Sequence, residues 1–147
     1  LWAQGFPAHL VVVGKPGWLT ETLVERLRQH PQQRRQLFWF ENASDEFLEK
    51  LYATATCLIA ASEAEGFGLP IVEAARHGLP VIARDIPVFR EVAQEHAYFY
   101  QGGSPEALTD AVQAWTALAA AGQVPDSSLI RRTSWAESTR QLLSRLT

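Results

Sequence analysis

The sequence has few residues that could form a disulfide or hold a metal ion. Its single cysteine, Cys57, excludes an intramolecular disulfide, and within the apolar segment 57–60 it is expected to act as a small buried hydrophobic side chain. The four histidines are far apart in the chain and show no metal-ligand spacing. They are His9, His30, His77 and His96. We therefore expect neither a disulfide framework nor a metal site.

The chain also lacks long apolar runs, an excess of basic charge, and methionine. No apolar run approaches the roughly 20 residues that a membrane-spanning helix needs, and no signal-peptide pattern opens the sequence. With 13 basic and 16 acidic residues, the net charge of -3 gives no basic footprint for nucleic acid. Because the first residue is Leu1 and no methionine occurs, we expect a fragment or an excised domain. The composition, 47% hydrophobic and 20% charged, is typical of one globular domain, and a cytoplasmic location is the simplest prediction.

Short apolar segments alternate with helical patterns along the chain. The apolar segments predict strands at Leu10–Val13, Leu37–Phe40, 56–60, 80–83 and 97–100. The first of them, rich in valine, is typical of a strand buried on both faces of a parallel sheet. Helices are predicted at 20–30, from 45 after the capping Ser44, at 69–77, 89–93 and 105–121, and from 134 onward with Leu142, Leu143 and Leu146 inward. The alternation predicts an α/β fold with a doubly wound, Rossmann-like parallel sheet.

In such sheets, ligands bind beyond the carboxyl ends of the strands. This rule directs attention to three loops, at 14–18, 41–44 and 62–68. The 62–68 loop carries two glycines around Phe67, and a helix is predicted to begin directly after it. Free amides at a helix start favour an anion such as a diphosphate. Glu65 and Glu73 are eight residues apart and can border the same cleft, where carboxylates accept hydrogen bonds from a sugar diol. From the residues alone, a sugar or nucleotide site and a common glycine turn with solvated acids both remain open.

The segment from Glu65 to Asp85 resembles the signature of the retaining glycosyltransferases of family four. It has two glutamates separated by seven residues, Glu65 and Glu73, followed by the segment 78–81, Gly-Leu-Pro-Val. The resemblance runs from about Leu10 to the C-terminus and implies the C-terminal half of a GT-B fold. The turn Gly-Lys-Pro-Gly-Trp at 14–18 resembles a mannosyltransferase-like branch.

The resemblance implies a role for each matching position. Glu73 would hold the ribose hydroxyls of a nucleotide sugar. Glu65 would be the catalytic residue and would face the hydroxyls of the donor sugar. Donor contacts would also come from backbone amides in the turn and from residues near the phosphates and base: Gly66, Phe67, Gly68, Leu69, Gly14, Lys15 and Asn42. A plain surface role for Lys15 stays equally open. The family is generally independent of metals, so no metal and no cofactor beyond the nucleotide-sugar substrate is expected.

At the level of the protein, the resemblance implies transfer of a hexose, with retained configuration, to a saccharide or lipid-linked saccharide acceptor. Residues 1–147 would form the donor-binding domain. The acceptor domain and the first strand and helix of this domain, with their diphosphate-binding arginine and lysine, would lie upstream. The isolated chain would then be inactive. The implied setting is polysaccharide biosynthesis in the cytoplasm or at the inner face of a membrane, with no nucleic-acid partner.

Several positions depart from the family pattern. Glu63 and Ala64 replace an apolar or aromatic pair, while His77 and Arg84 replace small residues. His77 is expected to be a helix-end residue beside the helix dipole rather than a ligand. The extra acid at Glu63 slightly favours an alternative function, a nucleotide-binding or regulatory module without catalysis. The paired glutamates argue against an epimerase or a phosphorylase, and a dehydrogenase is excluded because no Gly-x-Gly-x-x-Gly follows the first strand.

Overall fold

The computed structural model describes residues 1–131, 139–140 and 143–144, and the chain divides into two compact units, Leu1–Leu51 and Tyr52–Thr147. Over residues 1–131, five strands alternate with five helices. The strands are β1 (Leu10–Val13), β2 (Leu37–Phe40), β3 (Leu58–Ala60), β4 (Val81–Arg84) and β5 (Tyr98–Tyr100). The helices are α1 (Glu21–Gln29), α2 (Asp45–Thr54), α3 (Leu69–Arg76), α4 (Pro87–Ala93) and α5 (Pro105–Ala120). Two short 3-10 turns, Trp2–Gln4 and Ser127–Leu129, were not predicted.

The first unit contains a two-stranded parallel sheet. β1 pairs with β2 in register from Leu10 opposite Leu37 to Val13 opposite Phe40. The expectation that β1 is buried on both faces is wrong, because Leu10, Val11 and Val13 are each 38–40% exposed. A strand is buried on both faces only where other elements cover both faces of its sheet. Leu10 and Val11 point to opposite faces and are each 40% exposed, so neither face of β1 is fully covered.

The second unit contains a three-stranded parallel sheet in the order β3-β4-β5. Alternate residues of β4 point to opposite faces of the sheet and pack into two separate apolar clusters. Val81 and Ala83 join the apolar cluster that includes α3 and α4, whereas Ile82 joins the cluster that includes Trp115 of α5. Helices therefore cover both faces of this sheet, as the doubly wound prediction requires. The expected parallel pairing is confirmed for β1 with β2 and for β3 with β4, whereas β2 and β3 belong to different sheets.

Element boundaries differ from the predictions by one to two residues for local reasons. α4 begins at Pro87 rather than at 89, because proline suits the first helical turn. β4 runs one residue further, to Arg84. Ser104 caps α5, since its Oγ accepts a hydrogen bond from the Ala107 amide at 3.1 Å. The helix predicted from 134 onward falls mostly outside the described residues, although 139–140 and 143–144 are helical, and Leu143, expected inward, is 58% exposed.

Cys57 lies just before β3 and is half-buried. Burial raises the pKa of its thiol to about 11, which agrees with the prediction of an unreactive apolar side chain. Within the part of the chain that the structure describes, no helix is both long enough and apolar enough to cross a bilayer.

Candidate functional site

The turn between β3 and α3 depends on glycine at position 68. Gly68 precedes α3 with a φ of 80°, a conformation that L side chains rarely adopt. A Cβ atom there would also lie 3.3 Å from Cδ1 of Phe89, which is fully buried on α4. Gly66 has neither restriction, because its φ is not positive and nothing lies within 4 Å of a Cβ placed there. Gly68 therefore packs the start of α3 closely against the core.

The backbone amides of the turn before α3 differ in whether they already have a hydrogen-bond acceptor. The Gly66 amide donates to Oε1 of Glu65 at 3.0 Å, so this amide already has an acceptor. Among the described residues, no acceptor is found for the amides of Phe67, Gly68 and Leu69. Unpaired amides and the helix dipole together favour an anion at this position.

Glu73 is held by a contact that links α2 to α3. The Tyr52 hydroxyl donates to Oε2 of Glu73 at 2.7 Å, and the Glu73 side chain is half-buried. The Tyr52 ring stacks on His77, with ring centroids 5.7 Å apart and planes within 9°. His77 ends α3, as predicted, and its amide donates to the Ala74 carbonyl. Because a carboxylate has two oxygens and Tyr52 bonds one of them, Oε1 can accept a hydrogen bond from a ligand.

Two arginines lie where β4 ends, and both pair with carboxylates. Nη1 of Arg84 is 3.4 Å from Oε1 of Glu63, and Arg90 contacts both oxygens of Asp85 at 2.7 and 2.8 Å. Arg90 also lies over the ring of Phe99, with its Cζ atom 3.8 Å from the ring centroid. The hydrogen bonds from Arg90 lower the pKa of Asp85 below its ordinary value. The extra acid at Glu63 is thus paired.

Three predicted site residues belong to the first unit, at the carboxyl ends of β1 and β2. The backbone of Gly14 is already bonded, because its amide donates to the Phe40 carbonyl at 3.0 Å and its carbonyl accepts from Nε1 of Trp39 at 2.9 Å. Gly14 has a φ of 138°, which explains the glycine. Lys15 and Asn42 are exposed.

The structure therefore gathers Glu65, Glu73 and the predicted backbone contacts 66–69 in one turn and helix of the second unit. Sequence reasoning missed the contact between Tyr52 and Glu73, and the pairing of Arg84 with Glu63. The usable signal for the first was a tyrosine at the end of the helix that precedes β3. Nothing in the linear spacing of 21 residues pointed to the second.

The described residues contain no group of three or more histidine, cysteine, aspartate or glutamate side chains placed to hold a metal ion. Of the acidic side chains nearest the turn, Glu65 and Glu73 each accept one hydrogen bond and Glu63 forms an ion pair. Their chemistry is the acceptance of hydrogen bonds from hydroxyl groups, amides and arginines.

Comparisons with known proteins give the family. Residues 1–127 match the model for glycosyl transferases group 1. The chain is 49% identical over 146 residues to the serotype-specific mannosyltransferase WbdA of Escherichia coli, which covers 99% of this chain and 18% of that protein. The O-antigen chain mannosyltransferase RfbU of Salmonella typhimurium is 38% identical over 66 residues, covering 45% of this chain and 19% of RfbU. The chain thus spans about a fifth of the length of these relatives.

Solved structures show the same fold. Sucrose-phosphate synthase from Thermosynechococcus elongatus superposes with a TM-score of 0.75 at 22% identity, over 98% of this chain and 40% of that one. Anabaena HepE in complex with UDP gives a TM-score of 0.69 at 21% identity, over 98% and 43%. The α/β architecture with parallel sheets is confirmed as that of GT-B glycosyltransferases. On the match over residues 1–127, the chain belongs to the glycosyl transferases group 1 family.

Proposed function

We propose that this chain is the donor-binding domain, the C-terminal half, of a retaining GT-B mannosyltransferase of family four. It binds a nucleotide-diphosphate mannose and supports transfer of the mannosyl group to a saccharide or lipid-linked saccharide acceptor. The sugar is supported by the 49% identity to a serotype-specific mannosyltransferase and by the 14–18 turn. The nucleotide is taken as GDP because that turn resembles the branch of the family that uses mannose donors.

The observation that carries the proposal is the oriented carboxylate of Glu73. Tyr52 fixes Oε2 at 2.7 Å, so Oε1 is presented one turn above the start of α3. A ribose diol bound there donates a charge-assisted hydrogen bond to that oxygen. The unpaired amides of Phe67, Gly68 and Leu69 lie at the N-terminal end of the same helix, where the diphosphate would accept from them.

Glu65 takes the sugar side of the donor in this proposal. Its carboxylate accepts from the Gly66 amide and is otherwise exposed, so it can also accept from hydroxyl groups of the mannose. As the bond from the sugar to the phosphate breaks, negative charge grows on the leaving diphosphate. Amides and the helix dipole stabilise that charge, so the proposal needs no metal ion. Lys15 is assigned to the phosphates and Asn42 to the edge of the base. Gly14, whose amide already donates to Phe40, would lie near the phosphates without donating to them.

The remaining parts of the proposal concern the whole protein. An acceptor domain would precede this one in the same chain, together with the strand and helix that carry basic diphosphate ligands. The enzyme would act in O-antigen-type polysaccharide synthesis, in the cytoplasm or peripherally at the inner face of the membrane. The relatives named for O-antigen synthesis support this setting.

Calorimetric titration tests the proposal. GDP, UDP and ADP are titrated into the protein, followed by the mannose conjugate of the nucleotide that binds. The proposal expects saturable binding, tightest for GDP. A longer protein that contains both this domain and the proposed acceptor domain should release GDP from GDP-mannose in the presence of acceptor. Absence of binding to all three nucleotides would overturn it. Binding without any transfer would instead support the alternative, a nucleotide-binding module without catalysis.

A further inference from the structure

Arg84 connects three segments at the carboxyl edge of the second sheet. It is the last residue of β4, the central strand, and it lies opposite Tyr100 of β5. Its Nη1 is 3.4 Å from Oε1 of Glu63, in the 62–68 loop that follows β3. A Cβ atom placed on Gly103, in the loop that follows β5, would lie 3.6 Å from the same Nη1 and 4.0 Å from the same Oε1. The backbone at Gly103 therefore runs along the ion pair.

The two partners differ strongly in exposure. The Arg84 side chain is 17% exposed, whereas that of Glu63 is 84% exposed. Nε of Arg84 and the hydroxyl of Tyr100 are buried, and neither has a hydrogen-bond partner of good geometry among the described residues. A guanidinium in such a place cannot lose its proton and needs an anion. Glu63 is the carboxylate that supplies it within the part of the chain described here.

This arrangement fixes the 62–68 loop at both ends. At its start, Glu63 is tied to the sheet through Arg84. At its end, Gly68 packs against the buried ring of Phe89. The exposed residues between these points include Glu65. Among the described residues, its one hydrogen bond is accepted from the amide of its neighbour Gly66. The orientation of Glu65 therefore depends on the two ends of the loop.

We infer that Arg84 is a positioning residue: through Glu63 it holds the 62–68 loop against the sheet and so sets the direction of the Glu65 carboxylate. The loop anchor stands on the contacts alone, and its consequence for the donor sugar rests on the proposed function. Arg84 acts through Glu63 and does not itself touch the sugar.

Cleavage by chymotrypsin after Phe67 measures how firmly the loop is held, and it needs no ligand. Phe67 is exposed in the loop, and its cleavage rate follows the population of the open loop. Glu63→Gln, at an exposed position, tests the ion pair without disturbing the core. We expect this change to raise the cleavage rate about two- to fivefold, as for loss of one partly exposed ion pair. Arg84→Met should do the same, the double variant should add nothing further, and Arg84→Lys should recover part of the protection.

Arg90→Met is the matched control, since it removes an ion pair at the same edge that involves α4 instead of the loop. It should leave cleavage after Phe67 unchanged. Three results would overturn the inference. They are a cleavage rate in Glu63→Gln equal to that of the unsubstituted protein, additive increases in the double variant, and an equal increase in Arg90→Met. Urea unfolding of each variant separates loop release from global destabilisation.

Steady-state kinetics with GDP-mannose, in a longer protein that also contains the proposed acceptor domain, and calorimetry with GDP then test the consequence. Glu63→Gln should keep the GDP affinity within twofold and lower kcat about two- to fivefold. An unchanged kcat with a released loop would overturn the link to Glu65. If the unsubstituted protein binds no GDP, the proposed function fails, while the cleavage result still decides the loop anchor.

Discussion

Replacing Glu73 with glutamine tests the assignment of the ribose site with a minimal change of shape. Glutamine keeps an oxygen that can accept from Tyr52, so the contact with α2 can survive, but it removes the negative charge. Hydrogen bonds from hydroxyls to a carboxylate are worth about 1.5–3 kcal/mol in total when the charge is lost. At 1.4 kcal/mol per factor of ten, the affinity for GDP should fall about 10- to 150-fold.

The assay is calorimetric titration of GDP into the unsubstituted protein and the variant, with urea unfolding in parallel. The unfolding free energy should change by less than about 1 kcal/mol, because α3 keeps its length and its buried apolar residues. Glu91→Gln on α4 is the matched control, since it removes one exposed carboxylate from the same unit and should leave the GDP affinity unchanged. GDP affinity within twofold of the unsubstituted protein for Glu73→Gln would refute the assignment of the ribose to this carboxylate.

Four further outcomes are expected. Glu65→Gln should spare GDP affinity in titrations and lower the turnover of GDP-mannose in steady-state kinetics of a longer protein that also contains the proposed acceptor domain. Weakened GDP binding would contradict the split of roles. Gly68→Ala should lower the free energy of unfolding by about 1–2 kcal/mol, from the positive φ and the crowded Cβ, whereas Gly66→Ala should change it by no more than about 0.5 kcal/mol in urea titrations. Cys57, with a thiol pKa of about 11, should react with iodoacetamide at pH 8 about a hundredfold more slowly than a free cysteine, measured by mass spectrometry. The pKa of Asp85 is lower in the folded than in the unfolded chain, so its ionised carboxylate stabilises the fold above the ordinary pKa of 3.8, and this contribution disappears as the pH falls through the lowered pKa. The free energy of unfolding of Asp85→Asn, measured by urea titration, should therefore approach that of the unsubstituted protein in acid. A difference between the two that widens on acidification would contradict this sign.

The parts of the fold set by local patterns could be predicted from the sequence. Valine-rich and aromatic runs marked β1 and β2 to the residue, and Ser104 with Pro105 marked the start of α5. The burial of β1 could not be predicted, because it depends on which elements cover the two faces of its sheet. An apolar run is the same in an edge strand and a central one.

The candidate site could be proposed from the sequence where one continuous segment forms it. Glu65, the glycine turn and Glu73 lie within nine residues, so helix geometry and a family resemblance place them together. Tyr52 escaped prediction because its partner is 21 residues away and on another helix. Glu63 and Arg84 stood out separately as departures from the family pattern, and the extra acid at Glu63 counted toward a non-catalytic module. Their ion pair removes that argument, since the extra acid has its own counter-charge.

The most direct test of the proposed donor site combines a change in the protein with a change in the ligand. The affinities of GDP and 2′,3′-dideoxy-GDP are measured for the unsubstituted protein and for Glu73→Gln. If this carboxylate accepts from the ribose diol, removing the hydroxyls should weaken binding about 10- to 150-fold in the unsubstituted protein and by little in the variant. Equal losses in both proteins would show that the ribose hydroxyls are bound elsewhere and would contradict the account.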